Sequence, residues 1–302
     1  MKQLGHGSGS GIYAELESIK AAIDRHELEV AESKLSELEL RSVSKLEPEQ
    51  WYQMKVLRSR IYSDCWEWEK SGRLLLDAKR HLPDTERARI NEALGYELIG
   101  DTSKAPDLAS ELLKEFPRSV RLLAIRVRTA PSSVQLSDLI NAAIDFPNDD
   151  EDLTLALAHR AFVEARYDQV EYYTKIATGI DPHSPHAWFV RGQAKHAPGR
   201  TDPQSLDKTL LAKAKEYYDR AIQLAQVQKF HALEATVRVN RGKVKHLLED
   251  RGAELDFVRA VELAPTDHAI LRDYVAYLLD TGKTGNSELM KIIKRNPEGT
   301  SQ

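Results

Sequence analysis

Proline residues recur along this chain at a nearly constant interval, and this spacing limits the folds that the sequence can adopt. Most neighbouring members of the series lie about 34 residues apart, and the longer interval after Pro182 accommodates two units and an insertion. The series consists of Pro83, Pro117, Pro147, Pro182, Pro265 and Pro297. Because proline cannot continue a helix, each member should end one. A fixed period of this length predicts stacked repeats rather than two unrelated globular domains.

Within each interval, apolar residues follow helical spacing twice. Leu16, Ile19 and Ile23 form one such stripe near the start of the chain, and Leu35 with Leu38 forms part of the next. Strand-like alternation is nearly absent, so we predict an all-α chain of about eight antiparallel helix pairs. A single helical hairpin cannot bury its apolar stripe, and the pairs should therefore stack on their neighbours to form a continuous core.

Small residues stand where the two helices of a pair would cross, and Gly192 and Ala221 are the clearest examples. The supporting positions are Trp188 with Gly192, Leu94 with Gly95, Ala105 with Ala109, Ala214 with Tyr218 and Ala221, and Asp181 with Pro182. This combination, spread over nearly the whole chain, resembles the tetratricopeptide-repeat family. The resemblance implies a right-handed αα superhelix, a solenoid whose first helices line a concave groove that commonly binds an extended peptide.

Two other repeat architectures compete with this interpretation. An α-solenoid with a longer period, such as a HEAT-type array, is the structural rival. A pentatricopeptide-type array that reads RNA has a similar period but needs an excess of basic residues. This chain carries a net charge of -4 with both signs interspersed, and we therefore expect no nucleic-acid partner.

Cysteine content and hydropathy constrain the compartment. The 302 residues include one cysteine, Cys65, so an intrachain disulfide is excluded and a reducing compartment is favoured. The longest apolar runs fall far short of the roughly 20 residues that a membrane-spanning helix needs, and no signal peptide is visible. We therefore expect a cytoplasmic protein without membrane contact.

Two segments interrupt the predicted array of repeats. Residues 1–11 end in a Gly-Ser run typical of a flexible linker or tag remnant, in which case the natural N-terminus is missing. We assign 12–302 to the solenoid. Within it, 197–208 should form an exposed loop insertion, because Pro198 and Gly199 break helices.

No group of residues predicts catalysis. His183 and His186 are three residues apart, but a metal site would need further ligands that do not lie nearby in the sequence. Cys65 has no neighbouring histidine or basic cluster that would activate its thiol. The only glycine-rich run lacks the lysine of a phosphate-binding loop. We therefore predict no metal, no cofactor and no enzymatic activity.

The resemblance does indicate where a partner would bind, because first helices line the groove in that family. The corresponding positions in this chain are Arg60, Tyr96, Arg121, Arg128, His159, Gln193, Asn240 and Lys243. Their chemistry suits an extended polypeptide with an acidic segment, since arginine pairs with carboxylates and amide side chains bond peptide groups. The Lys and Asn clamp of chaperone-binding relatives is absent, since Val56, Arg60, Leu155 and His159 occupy its positions.

These observations favour a non-catalytic scaffold or adaptor that binds a partner polypeptide in the groove. One alternative is a regulatory or sensor segment of a larger multidomain protein, which the linker-like start of the chain suggests. A less favoured alternative is an enzyme whose site lies at the 198–209 insertion.

Overall fold

The computed structural model describes residues 8–42, 46–82, 85–143, 150–200 and 206–283, which form α-helices and turns without any strand. The all-α prediction is thereby confirmed. The chain divides into two compact units, 1–147 and 148–302. The first unit contains α1 (Ser8–Asp24), α2 (Leu28–Ser42), α3 (Pro48–Asp64), α4 (Trp68–Ala78), α5 (Glu86–Leu98), α6 (Lys104–Glu115), α7 (Val120–Thr129) and α8 (Leu136–Ala143).

The second unit contains α9 (Glu151–Val163), α10 (Tyr167–Ile180), α11 (Pro185–Gly199), α12 (Lys208–Val227), α13 (His231–Leu247), α14 (Ala253–Leu263) and α15 (His268–Asp280). The second helix expected for the eighth pair lies outside the described residues. So do Pro83, Pro147 and Pro297.

Helix starts follow the polar residues that precede them. Thr85, Asp150 and Ser184 each accept a hydrogen bond from a backbone N–H of the following helix, at distances of 3.3, 2.8 and 3.2 Å. Such caps satisfy donors that have no partner inside the helix. Pro48 occupies the first turn of α3, as its fixed φ and missing N–H predict.

Helix ends follow the proline series wherever the structure describes it. α6 ends at Glu115, α10 at Ile180 and α14 at Leu263, in each case two residues before a proline of the series. This is the expected effect of proline on the residue that precedes it. The three described stops are therefore confirmed.

The turns inside the helix pairs share a left-handed backbone conformation. Only two of them carry the glycine that would indicate it in the sequence, at Gly100 and Gly282. A residue with positive φ follows the first helix at His26, Trp66, Gly100, Ala165, Glu249 and Gly282. The next N–H then bonds to the carbonyl five residues earlier, as from Glu67 to Tyr62 at 2.8 Å and from Asp101 to Tyr96 at 2.9 Å. This is a Schellman helix end.

The core of the first unit forms where neighbouring pairs stack. Leu16, Ile19 and Leu35 from the first pair pack with Met54 and Ile61 from α3. A second cluster joins Ala109 and Leu112 of α6 to Leu122 and Ile125 of α7. The predicted stripes are thus the buried faces, as expected when each pair depends on the next for burial.

In the second unit, the predicted crossing of α11 and α12 is confirmed. Gly192 lies directly against the ring of Tyr218, and a Cβ atom at this position would overlap that ring. Ala221 and Tyr218 are completely buried. Glycine at 192 therefore makes room for an aromatic ring from the facing helix.

Two helices extend across the predicted segment boundaries. Residues 8–11, assigned to the linker, form the first turn of α1, where glycine and serine are tolerated because first-turn N–H groups have no helical partner anyway. Residues 197–199, assigned to the loop, continue α11 to Gly199. Pro198 lies in the last turn, and Gly199 is held by the backbone N–H of Asp207 at 3.1 Å and by contact with Leu211.

Candidate partner-binding surfaces

Alternate helices, the first of each pair, pack side by side within each unit. α1 contacts α3, and α5 contacts α7, in the first unit. α11 contacts both α9 and α13, and α13 contacts α15, in the second. We call the outward side of these helices the first-helix face. The first helices carry the eight positions predicted to bind a partner, four in each unit.

Three of the four predicted cations are neutralised by carboxylates on a neighbouring first helix. Arg60 of α3 pairs with Asp24 of α1 at 2.8 Å. Lys243 of α13 pairs with Asp273 of α15 at 2.8 Å. Arg128 of α7 donates from Nε and Nη2 to the two carboxylate oxygens of Glu97 on α5.

The Arg128 pair differs from the other two in burial. Its side chain is 24% exposed and that of Glu97 is 13% exposed, whereas Arg60 and Asp24 are 44% and 51% exposed. A paired charge in such a half-buried position is costly to separate, because its partner would be left without a counter-ion. Arg128 therefore contributes to the α5–α7 contact, and Arg60 is the better placed of the two for a partner.

The other predicted positions differ in how far they are exposed. Arg121 and His159 are exposed, and Gln193 is half-buried. Tyr96 is half-buried with the Lys104 ammonium 5.0 Å from its ring centre. Asn240 donates to the carbonyl oxygen of Thr236 on its own helix at 2.9 Å, which occupies one of its two donors. The eight positions are thus not one cluster of available groups.

A cleft of about 240 Å³ opens on the first-helix face of the first unit. Leu16 and Leu57 are buried beneath it, and Val56 is half-buried beside them. Three basic side chains and one carboxylate, that of Glu17, also line it; the basic side chains are Lys20 of α1, Arg60 of α3 and Arg87 of α5. Apolar depth with surrounding positive charge is the pattern of a site that takes an apolar side chain flanked by carboxylates.

Tyr52 fixes one side of this cleft. Its hydroxyl oxygen accepts a hydrogen bond of 2.7 Å from Asn91 Nδ2 on α5, and its side chain is 1% exposed. The Arg87 guanidinium lies 4.6 Å from the ring centre and also pairs with Glu49. Burial raises the pKa of the Tyr52 hydroxyl, so the group stays neutral and keeps its hydrogen atom for bonding.

His196, on α11, is buried. Its Nδ1 lies 3.3 Å from the Tyr218 hydroxyl oxygen. Burial, together with the positive charges of Arg200 and Lys243, lowers the pKa of His196 to about 4. The imidazole is therefore neutral near pH 7 and takes part in the α11–α12 contact.

The described residues offer little for chemistry. Burial and the nearby carboxylates of Glu67 and Asp64 raise the pKa of the Cys65 thiol, which lowers its thiolate content and its reactivity. Within the described ranges, no three His, Cys, Asp or Glu side chains converge as a metal site would require. None of the helices in those ranges is both long and apolar enough to cross a bilayer.

No protein-family model and no curated protein matches this sequence. Solved structures do match. A tetratricopeptide repeat protein from Parabacteroides merdae aligns with 88% of this chain and 98% of its own, at 17% identity and a TM-score of 0.54. NprR, solved with its cognate peptide NprX, aligns over 99% of this chain and 80% of its own, at 12% identity and a TM-score of 0.55.

A third structure is the APC/C hetero-tetramer Cut9–Hcn1, with 11% identity and a TM-score of 0.60. It aligns with 96% of this chain, which spans 54% of the matched chain. Identities this low carry information on the fold alone. These structural matches, together with the helix pairs, the proline stops and the Gly192 crossing, identify the chain as a repeat protein with the tetratricopeptide-repeat fold.

Proposed function

We propose that the protein is a non-catalytic scaffold that binds a partner polypeptide on the first-helix face of its first unit. The observation that carries this proposal is the cleft between α1, α3 and α5, with buried leucines beneath Lys20, Arg60 and Arg87. A partner would place an apolar side chain over Leu16 and Leu57. Carboxylates on either side of that residue would meet the basic groups.

The ion pairs already present at the cleft do not prevent this. Arg60 and Arg87 pair with Asp24 and Glu49, and both arginines are about half exposed. Exposed pairs of this kind contribute only about 0 to 1 kcal/mol, so a partner carboxylate can replace the internal one at little cost. Lys20 is exposed as well. The cleft therefore favours a segment that carries both acidic and apolar residues.

Two structural neighbours lend general support to polypeptide binding. NprR was solved with a peptide, and Cut9 was solved with Hcn1. Both share the repeat fold with this chain, which makes protein binding a reasonable use of the fold, although the fold alone does not decide function. A single cysteine suits a reducing compartment, and we propose a cytoplasmic location on that ground.

The test compares two double variants by quantitative affinity capture from the source organism. Lys20→Glu with Arg60→Glu reverses two charges at the cleft. Arg73→Glu with Lys114→Glu makes the same change on exposed positions of α4 and α6, which are second helices. We expect the first variant to lose the proteins that the wild type and the second variant both retain.

A purified partner from that capture then gives the affinity and its salt dependence. The cleft variant should bind at least tenfold more weakly, and wild-type binding should weaken as salt increases, because exposed charges are screened. Val56→Trp, which fills the cleft without changing charge, should also weaken binding. Undiminished binding by both the charge variant and Val56→Trp would exclude this cleft as the site.

A further inference from the structure

A second cleft of the first unit, of about 250 Å³, lies where α6 meets the end of α7. The turn that precedes α6, the first half of α6, one residue of α7 and the segment that follows α7 line it. It shares no lining residue with the cleft on the first-helix face. Sites for drug-sized ligands typically begin at about 300 Å³, so this cleft suits a smaller molecule.

Arg126 of α7 is the basic residue of this lining, and it has no partner. Its side chain makes no ion pair, hydrogen bond or ring contact within the described part of the chain, although the residue is half-buried. Every other described arginine either has such a partner or is exposed. A guanidinium presents five N–H donors in a planar fork that matches a carboxylate. Arg126 therefore favours a carboxylate ligand in the cleft.

The position of Arg126 on α7 separates it from the first-helix face. Arg128, two residues later, reaches Glu97 on the neighbouring first helix α5. Residues two apart lie on different sides of a helix, and Arg126 accordingly lines the cleft beside α6. The two arginines thus belong to different surfaces of the same unit.

Asp107 supplies the opposite charge in the same lining. It lies in the first turn of α6, is exposed, and forms no ion pair with Arg126 or with any other described residue. The neighbouring charges are already engaged. Asp101 pairs with Lys104 at 3.5 Å and accepts hydrogen bonds of 3.3 and 2.9 Å from the backbone N–H groups of Ser103 and Lys104. The cleft therefore presents one available cation and one available carboxylate that do not neutralise each other.

The remaining lining is apolar or carries hydroxyl groups. Pro106 of α6 lies on one side, and Pro131 and Val134 lie on the other. The Val134 N–H donates to the Pro131 carbonyl oxygen at 3.0 Å, which holds that side in a turn. The hydroxyl groups of Thr102 and Ser110 can donate to a carboxylate or accept from an ammonium.

We propose that this cleft binds a free amino acid with an aliphatic side chain. The α-carboxylate pairs with Arg126, the α-ammonium pairs with Asp107, and the side chain packs on Pro131 and Val134. A simple anion would leave the Asp107 charge beside it uncompensated, and a simple cation would do the same to Arg126. Only a zwitterion satisfies both groups. The site lies apart from the first-helix face, so it goes beyond the function proposed above.

The probe is L-leucine, titrated into the ¹⁵N-labelled full chain and followed by NMR. Chemical-shift changes should be confined to 102–110 and 126–134. N-acetyl-L-leucine lacks the ammonium and L-leucinamide lacks the carboxylate, and each should bind at least about tenfold more weakly. Equal affinity of either analogue would overturn the proposal. So would the absence of shifts at these positions with millimolar L-leucine, or shifts located elsewhere.

Variants assign the two charges. Arg126→Gln should weaken L-leucine binding at least about tenfold, whereas Arg118→Gln, at an exposed loop position outside the lining, should have no effect. Asp107→Asn should weaken L-leucine binding to a similar extent without weakening that of N-acetyl-L-leucine. Asp138→Asn, at an exposed first-turn carboxylate of α8, is its control.

The outcome is independent of the function proposed above. Lys20→Glu with Arg60→Glu should leave L-leucine binding unchanged even if it abolishes partner capture. Wild-type affinity for L-leucine in Arg126→Gln or in Asp107→Asn, with the fold intact by circular dichroism, would disprove the site.

Discussion

The pairs α3–α4 and α11–α12 bring their helices together in different ways. In the α3–α4 pair, Ser59 faces Ser71, and their hydroxyl oxygens are 2.8 Å apart. Ser63 adds a second hydroxyl contact to Ser71 at 2.7 Å. In the α11–α12 pair, Gly192 lies against the ring of Tyr218. The first crossing joins two small polar residues, and the second inserts a large ring above a glycine.

This difference shows what the small-residue position of the repeat requires. The repeat fixes the combined volume of the facing residues rather than the identity of either one. Serine is accepted where the facing residue is also small and can satisfy its hydroxyl group, as buried polar groups require. Glycine is needed where the facing residue is Tyr218, because no Cβ can be accommodated.

The largest expected effect comes from filling the glycine crossing. Gly192→Leu must displace the Tyr218 ring, since even the added Cβ would overlap it. Overpacking of this kind typically costs 1 to 3 kcal/mol, and we expect about 3 kcal/mol or more here because Tyr218 is completely buried. Urea denaturation followed by circular dichroism would measure the loss in unfolding free energy.

The same substitution at another glycine is the control. Gly179 lies on α10 with open space around it. Gly179→Leu should stabilise the protein by about 0.5 to 1 kcal/mol, because leucine has the higher helix propensity and meets no neighbour. Similar stability in the 179 and 192 variants would show that the α11–α12 crossing is not tightly packed.

The second effect is a pH dependence at the glycine crossing, where His196 titrates. His196 contacts Tyr218 and has a folded-state pKa of about 4, below the ordinary value of 6.5. Below pH 6.5 the unfolded chain binds a proton at this site that the folded chain does not. Stability therefore decreases as the pH falls from 6.5 towards 4, by about 3 kcal/mol in total from this group.

Replacing the titrating group isolates this contribution. His196→Gln keeps a polar side chain but cannot be protonated in this range, so its unfolding free energy should decrease less between pH 6.5 and pH 4. Urea denaturation at each pH gives the unfolding free energy of both proteins. The wild type should lose about 3 kcal/mol more than His196→Gln between pH 6.5 and pH 4. Parallel profiles for the wild type and His196→Gln would mean that His196 is not held neutral by burial.

Much of the fold could be predicted from the sequence, because its signals are local. Proline cannot continue most helices, and the described stops at 117, 182 and 265 all lie two residues beyond a helix. The end of α11 could not be predicted in this way. Pro198 lies inside a helix because Gly199 packs on Leu211 of the next helix, and that contact exists only in three dimensions.

The candidate sites were less predictable than the fold. The sequence placed Arg128 and Lys243 on first helices correctly, but it could not show that each reaches a carboxylate, Glu97 or Asp273, on a neighbouring first helix. Such pairs join residues about 30 positions apart. Lys20 and Arg87, which line the cleft beside Arg60, were missed because neither matches a characteristic position of the repeat.

The third effect concerns the hydroxyl contacts of the α3–α4 crossing. Ser71→Ala removes the shared partner of Ser59 and Ser63, and Ser59 itself is only 3% exposed. We expect a loss of about 1 kcal/mol, the usual contribution of a buried hydrogen bond. Ser33→Ala, on the exposed side of α2, should change the unfolding free energy by less than about 0.5 kcal/mol. Equal losses of unfolding free energy in Ser71→Ala and Ser33→Ala would show that the hydroxyl contacts of Ser71 do not stabilise the α3–α4 crossing.

The smallest expected effect comes from the backbone conformation of the residue that follows the first helix in each of the two pairs. Trp66, after α3, has φ of 62°, a left-handed conformation that disfavours any residue except glycine. Arg200, after α11, has φ of -112°, which any residue can adopt. Glycine and alanine variants at each position remove the side chain in the same way, so their difference reports the backbone alone. Trp66→Gly should be more stable than Trp66→Ala by about 1 kcal/mol, and Arg200→Gly should be less stable than Arg200→Ala by about 0.5 kcal/mol. The same sign at both positions, from thermal denaturation of the four variants, would contradict the left-handed turn at Trp66.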